Sequence, residues 1–211
     1  MSNTSYETLD IPLAVANADL TIQARRYGHG PGIVVISNMD TNDANEWSSF
    51  VEAMSQYDGF SVVTYAYPED LSLAEDALSA VLDFVELGVG EDVKQKIVLL
   101  GASLGGVASL KAAAKRGDER IFAVIAISTP MERNGTTLVT EAELRMLNFH
   151  KLLIASEFDE CVESTRDIFA LSEDPRQLTV YPGEGHGTGI FGEHEESLVQ
   201  QLTEYIRWVL Q

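Results

Sequence analysis

The residues of this chain best suited to chemistry surround a serine that stands between glycines. Residues 101–105 read Gly-Ala-Ser-Leu-Gly, after an apolar run that ends at Leu100 and before an alanine-rich segment. This is the pattern G-x-S-x-G between a strand and a helix, in which glycine avoids side-chain clashes in a sharp turn. A helix N-terminus beside the serine favours negative charge that develops there. The pattern predicts Ser103 as a nucleophile, and its alternative is a glycine-rich turn without one.

Metal and thiol chemistry have weaker support in the sequence. Cys161 is the single cysteine, which excludes an internal disulfide and a cysteine-based zinc knuckle. No His-x-x-x-His pair and no clustered spacing of Asp, Glu and His is present, so we predict no metal site and no cofactor. We expect Cys161 to be a small buried apolar residue rather than a nucleophile.

Apolar, β-branched runs predict the strands that must position Ser103. They lie near residues 32–37, 60–66, 96–101, 121–128, 151–156 and 177–182. Such nearly continuous apolar strands require a sheet that is covered on both faces. Residues 6–16 and 19–27, separated by Asn17-Ala18, predict an N-terminal β-hairpin.

Helical patterns alternate with these strands. They cover residues 43–57, 73–87, a segment starting near Ser103, 140–148, 160–171 and 194–210. Asp43 with Glu46, and Ser72 with Glu75, have the spacing of capping boxes. Short connections between strand and helix force parallel strands. The sequence therefore predicts one α/β domain over residues 1–211: a doubly wound, mostly parallel sheet with an antiparallel N-terminal hairpin and helices on both faces.

Charge and length limit the partners and the compartment. The chain of 211 residues has 33 acidic and 14 basic residues and a net charge of -19. Nucleic acid and anionic membranes are poor partners for such a surface, and we expect neither. No apolar run approaches the ~20 residues of a membrane helix, and the N-terminus resembles no signal peptide. We therefore expect a cytoplasmic protein, whose oligomeric state the sequence leaves open.

With these elements in place, the chain resembles the α/β-hydrolase family over essentially its whole length. In that family the catalytic acid follows a later strand and the histidine follows the last one, in the order Ser, Asp, His. The run Ser156-Glu157-Phe158-Asp159 follows one predicted strand, and residues 183–187, Gly-Glu-Gly-His-Gly, follow the last. The resemblance implies a small serine esterase or thioesterase, acting at the carboxyl edge of the sheet.

The position of each histidine relative to its strand separates the candidates for the general base. His29 and His150 precede their strands and so lie at the opposite edge of the sheet. His194 begins the last predicted helix, where a solvated residue is expected. His186 lies in a glycine-flanked loop directly after the last strand, so we predict it as the general base for Ser103.

Several carboxylates compete for the role of the acid. Asp159 matches the family position, and the resemblance implies that it orients His186 and stabilises the imidazolium. Glu157 at the strand end, Glu160 at the start of the next helix and Asp167 within that helix remain alternatives.

The resemblance also implies an oxyanion hole made of two backbone N–H groups. One belongs to Leu104, and the other, by alignment, to Met39 in the loop after Ile36. Here the chain departs from the family, because residues 37–40 read Ser-Asn-Met-Asp where a His-Gly pair is common. The carboxylate of Asp40 would oppose an oxyanion if it pointed inward, and we expect it to point outward.

The connection after residue 128 limits the cover over the site. Only about 20 residues separate two predicted strands there, too few for a large lid domain, so an open or shallow cleft is expected. Candidate lining residues at strand ends are Tyr65, Tyr67, Thr129, Met131, Ile190 and Phe191.

Together these features predict a serine hydrolase acting on a small-molecule ester or thioester of a small to medium acyl group. A peptidase, a lactonase or a perhydrolase on the same scaffold remains an alternative, because a fold does not decide its substrate. A binding module that has lost catalysis is the alternative of another class, motivated by the unusual residues 37–40.

Overall fold

A computed structural model describes residues 4–15, 18–87, 95–117 and 120–211. Ten strands are present among them: β1 (Tyr6–Val15), β2 (Ala18–Gly28), β3 (Gly32–Ser37), β4 (Phe60–Tyr65), β5 (Lys96–Ala102), β6 (Ile121–Ile127), β7 (Glu132–Arg133), β8 (Thr136–Thr137), β9 (His150–Ser156) and β10 (Arg176–Tyr181). Eight of them form one sheet in the order β1-β2-β4-β3-β5-β6-β9-β10. The pairs β1–β2 and β2–β4 are antiparallel and the other pairs are parallel, which confirms the predicted fold class.

Six α-helices connect these strands. They are α1 (Ser48–Met54), α2 (Ala74–Leu87), α3 (Leu104–Arg116), α4 (Glu141–Arg145), α5 (Val162–Leu171) and α6 (Gly189–Leu210). Short 3-10 turns at Ala44–Trp47 and Leu71–Leu73 lead into α1 and α2. None of the helices in the described ranges combines the length and the apolar character that crossing a bilayer requires.

The core lies in two layers because alternate side chains of each strand point to opposite faces of the sheet. Ile33 and Val35 of β3 pack in one cluster, which includes the apolar faces of α2 and α3. Val34 and Ile36 pack in the other, with the apolar faces of α1 and α6. All four side chains are fully buried, as a sheet covered on both faces requires.

Helix starts are where the sequence patterns were least accurate. Asp43 accepts a hydrogen bond from the N–H of Asn45, but no capping box with Glu46 forms. The predicted cap Ser72 is itself held by Asp70, whose carboxylate accepts from the N–H and the hydroxyl of Ser72. Both segments begin as 3-10 turns, which are wound more tightly than an α-helix. Asp43 and Asp70 therefore cap 3-10 turns, whereas a capping box belongs to the first turn of an α-helix. The Asn17 half of the predicted hairpin turn lies outside the described residues.

The last helix begins earlier than the periodicity indicated. The structure starts α6 at Gly189 rather than near residue 194, and at His194 the backbone leaves the helical region with φ -136° and ψ 35°. The ring of His194 lies 2.7 Å from the carbonyl of Pro182 and beside Tyr181. The predicted range of residues 194–210 therefore corresponds to the part of α6 that follows this kink. The small β7–β8 hairpin was not predicted.

Candidate functional site

Ser103 occupies a strained turn between β5 and α3. Its φ of 49° and ψ of -113° lie in a region that residues with a side chain rarely adopt, at a cost of about 1–3 kcal/mol. A Cβ atom at Gly101 would lie 2.1 Å from the carbonyl oxygen of Gly105. A Cβ atom at Gly105 would lie 2.1 Å from the carbonyl oxygen of Ser37. The glycines of the motif are thus required by close backbone approach.

Asp159 and His186 form a hydrogen-bonded pair at the carboxyl ends of β9 and β10. The Nδ1 atom of His186 lies 2.8 Å from Oδ1 of Asp159. The side chain of Asp159 is fully buried, whereas that of His186 is 28% exposed. The same Oδ1 accepts a hydrogen bond of 3.0 Å from the N–H of Cys161, which holds the carboxylate in place. This is the arrangement in which a carboxylate sets the tautomer of a histidine.

The two groups shift each other's pKa in opposite directions. Burial raises the pKa of Asp159, but hydrogen bonds from His186 and from the N–H of Cys161 outweigh it and leave this pKa below its ordinary value. The hydrogen bond to Asp159 and the adjacent Cys161 side chain raise the pKa of His186, and burial opposes them. The pair therefore stabilises an imidazolium, the form that appears when a histidine takes a proton from a nucleophile.

The hydroxyl of Ser103 is isolated from this pair. Ser103 has no exposed surface, and its Oγ makes no hydrogen bond with any residue in the described part of the chain. Three loops converge on the turn: Ser37 approaches Gly105, Thr129 approaches Gly106, and Gly187 approaches Ala102. These loops pack directly on the glycines around Ser103, and the open or shallow cleft stays a prediction.

The backbone N–H groups of Leu104 and Met39 lie on neighbouring segments, since the start of α3 packs on residues 37 and 38. In the described ranges neither N–H donates to a backbone carbonyl. Two tyrosines brace the Met39 loop: the Tyr65 hydroxyl lies 2.8 Å from Ser37 Oγ, and the Tyr67 hydroxyl donates to the Asn38 carbonyl at 2.8 Å. These hydrogen bonds tie the loop to the end of β4, and the Asn38 carbonyl is occupied by Tyr67.

Asp40 has the orientation that the sequence analysis expected. Its side chain is 46% exposed and lies 3.5 Å from Arg133 on the β7–β8 hairpin, which is itself 45% exposed. An exposed pair of this kind contributes little free energy and is weakened by salt. The carboxylate of Asp40 thus lies at the protein surface, paired with Arg133.

The six predicted lining residues do not share one surface. Tyr65 and Tyr67 pack in the cluster with α2 and α3, and Ile190 and Phe191 pack in the cluster with α1 and α6 on the opposite face. Thr129 is fully buried and contacts Gly106. Met131, which is half-buried, follows this segment and packs against the first cluster. Their role in substrate binding stays a prediction.

The other candidate acids and histidines have different surroundings. Glu157, Glu160 and Asp167 are exposed, and none of them has a hydrogen bond with His186. His29 is exposed before β3, and the ring of His150 packs against Trp208 at the start of β9.

Sequence reasoning missed three polar residues that support the His186 loop. Thr188 donates a 2.8 Å hydrogen bond to Glu46, and Thr41 donates to the same carboxylate oxygen at 3.1 Å. The Ser128 hydroxyl accepts a 2.9 Å hydrogen bond from the N–H of Gly187. The only available signal was the position of Ser128 at the end of a strand, because the other contacts join segments distant in sequence.

The structure also brings a thiol to the pair. A carboxylate oxygen of Asp159, the Sγ of Cys161 and a ring nitrogen of His186 all lie within 4.8 Å of one another. Within the described ranges no other group of three such side chains is this compact. No sequence spacing indicated this cluster.

Comparisons with known proteins identify similar structures but no sequence relatives. No family model matches the chain, and no curated protein matches it. Est1E from Butyrivibrio proteoclasticus has a TM-score of 0.74 at 15% identity, over 95% of this chain and 98% of that one. A dienelactone hydrolase from Anabaena variabilis has a TM-score of 0.74 at 17% identity, over 96% and 97%. A bromoperoxidase from Bacillus anthracis has a TM-score of 0.75 at 14% identity, over 95% and 100%.

Proposed function

Because the chain has the α/β-hydrolase fold, we propose that it is a serine hydrolase of a carboxylic ester or thioester with a small to medium acyl group. The observation that carries the proposal is the 2.8 Å hydrogen bond between buried Asp159 and His186, at the same sheet edge as the strained Ser103 turn. Strain of this kind is concentrated at functional sites. Among the similar structures is a dienelactone hydrolase, an enzyme whose name agrees with this chemistry.

The reaction runs in two stages. Ser103 Oγ attacks the acyl carbonyl carbon while His186 takes the hydroxyl proton, and the oxyanion binds the N–H groups of Leu104 and Met39. His186 then gives the proton to the leaving alcohol or thiol, and the acyl group stays on Ser103. Water, deprotonated by the same ring, then attacks the acyl-enzyme. As the bond from the acyl carbon to Ser103 Oγ breaks, the ring returns the proton to Oγ and the acid leaves.

Turnover requires a change at the nucleophile. Ser103 Oγ is buried and has no hydrogen bond in the described residues, so the His186 ring or the overlying loops must move before proton transfer. The His186 side chain is 28% exposed, so it is less enclosed than the fully buried Ser103.

The burial of Ser103 also favours a second candidate, a hydrolase-fold binding module without turnover. Labelling with a fluorophosphonate separates the two, because the reagent reports an activated serine without knowledge of the substrate. We expect one adduct, located on Ser103 by peptide mass mapping. A folded protein that takes up no reagent contradicts the hydrolase proposal.

A substrate panel then sharpens the class. p-Nitrophenyl esters of increasing acyl length, acyl-CoA thioesters and peptides test the three bond types. We expect hydrolysis of short esters or thioesters and none of peptides. Adding hydrogen peroxide to the ester assay tests whether peroxide replaces water at the acyl-enzyme.

A further inference from the structure

The thiol of Cys161 is an unused chemical group beside the proposed acid and base. Cys161 lies two residues after Asp159, where the chain turns from β9 into α5, and its N–H bond to Asp159 Oδ1 fixes that turn. The residue is 5% exposed, and its Sγ lies within 4.8 Å of a ring nitrogen of His186. The three side chains thus form a compact set of sulfur, nitrogen and oxygen donors.

The donor types are those of a zinc site. Zinc in proteins takes thiolate, imidazole and carboxylate ligands at about 2.3, 2.0–2.1 and 2.0–2.2 Å. Around one tetrahedral ion, such bond lengths place the donors about 3.3–3.8 Å apart. The donor atoms here lie within 4.8 Å of one another. The 2.8 Å contact between Asp159 and His186 would open by only about 0.5 Å, with zinc replacing the bridging proton.

A second observation points to a cation in this place. The Oδ2 atom of Asp159 is buried and makes no hydrogen bond of normal geometry with a described residue, although the Ser128 hydroxyl lies nearby. A buried carboxylate oxygen without a donor is unusual. Zinc on Oδ1 would neutralise the charge that the carboxylate shares between its two oxygens. The 28% exposed ring of His186 gives an ion a path from solvent.

We propose that Asp159, Cys161 and His186 bind a zinc ion, and that zinc binding competes with hydrolysis. The thiol loses its proton to solvent on binding, and sulfur selects zinc over magnesium or calcium. Three protein ligands leave the fourth position to water. The expected inhibition rests on the proposed function. A neutral imidazole whose Nδ1 binds zinc carries its proton on Nε2, so His186 could not accept the proton of Ser103.

Cobalt substitution tests the site without reference to activity. Co²⁺ added to the wild-type protein is expected to give strong visible bands of a tetrahedral ion and a near-ultraviolet thiolate charge-transfer band, and Zn²⁺ is expected to remove both. Cys161→Ser and Cys161→Ala are expected to lose the charge-transfer band. Asp167→Asn, which changes an exposed carboxylate on α5, should keep it. Circular dichroism verifies that each variant is folded.

Zinc titration of ester hydrolysis tests the inhibition. We expect zinc to inhibit the wild type, EDTA to restore it, and Cys161→Ser to need at least tenfold more zinc for half-inhibition, each variant scored against its own rate. Absence of the charge-transfer band in the wild type would overturn the site. A band with unaffected hydrolysis would overturn the competition. If the wild type hydrolyses nothing, the proposed function fails, and the cobalt spectrum still decides whether the metal site exists.

Discussion

The two halves of the candidate site are organised in different ways. The Asp159–His186 half is held by side-chain and backbone hydrogen bonds, from Cys161 and through the Thr188 contact with Glu46. The Ser103 half has no side-chain hydrogen bond in the described residues and is positioned by a strained backbone between glycines. Under the proposed function, Asp159 and His186 are arranged in advance, whereas the hydrogen bond between His186 and Ser103 forms only when substrate binds.

The largest expected effect is at the nucleophile. Ser103→Ala should abolish ester hydrolysis and fluorophosphonate labelling, because no other group replaces the attacking oxygen. Steady-state rates and intact mass measure both. Ser109→Ala is the matched control, since Ser109 in α3 is also buried and its hydroxyl has no hydrogen-bond partner among the described residues. Hydrolysis retained in Ser103→Ala would show that the strained turn carries no nucleophile.

The next effect tests the hydrogen-bonded half. Asp159→Asn should lower kcat on the order of 10²–10⁴-fold, because the amide favours the wrong tautomer of His186. The acidic limb of kcat/KM should also move to lower pH, because the carboxylate that raises the pKa of His186 is lost while Cys161 remains. Profiles recorded with EDTA measure both changes.

Glu157→Gln, Glu160→Gln and Asp167→Asn serve as controls for this acid. All three side chains are exposed, so each variant should stay close to the wild-type rate. A damaging Glu157→Gln beside a mild Asp159→Asn would mean that the observed pair is not the functional one.

A smaller effect is expected where the two halves are joined. Thr188→Val removes the 2.8 Å hydrogen bond to Glu46, which ties the His186 loop to the segment after β3. We expect kcat to fall about three- to tenfold, because a hydrogen bond to a charged group is worth roughly 1.5–3 kcal/mol and only part of this affects positioning. Thr203→Val is the control, since the buried Thr203 hydroxyl has no hydrogen-bond partner in the part of the chain that the structure describes. Equal effects of the two variants would mean that the link does not position the loop.

The smallest effect is expected at the rim. Asp40→Asn should change kcat/KM by less than about twofold, because Asp40 is half-exposed and paired with Arg133 rather than aimed at the oxyanion. Rates at low and high salt measure this, with Arg133→Gln as the partner control. A large rate increase in Asp40→Asn would show that its charge acts on the site.

Local patterns were sufficient for the eight strands of the large sheet but not for the exposed β7–β8 hairpin, because apolar β-branched runs are set by burial on both faces of a sheet. They were less accurate at helix starts: α6 begins at Gly189, and Asp70 rather than Ser72 accepts the capping hydrogen bonds. These ends depend on a single turn, where several polar side chains compete for the same N–H groups. Tyr65 and Ile190 pack on opposite faces of the sheet, because residues near strand ends also alternate between the two faces.

The sequence by itself determined the strand–turn–helix setting of Ser103, the parallel sheet and the edge at which His186 and Asp159 follow their strands. Each is a property of a few consecutive residues or of strand order. Only the tertiary structure decided that Ser103 is buried, that Cys161 lies against His186, and that Thr188 bonds to Glu46 across 142 residues of chain. Such contacts depend on how loops that follow different strands pack together at one edge of the sheet. A local sequence pattern does not contain that packing.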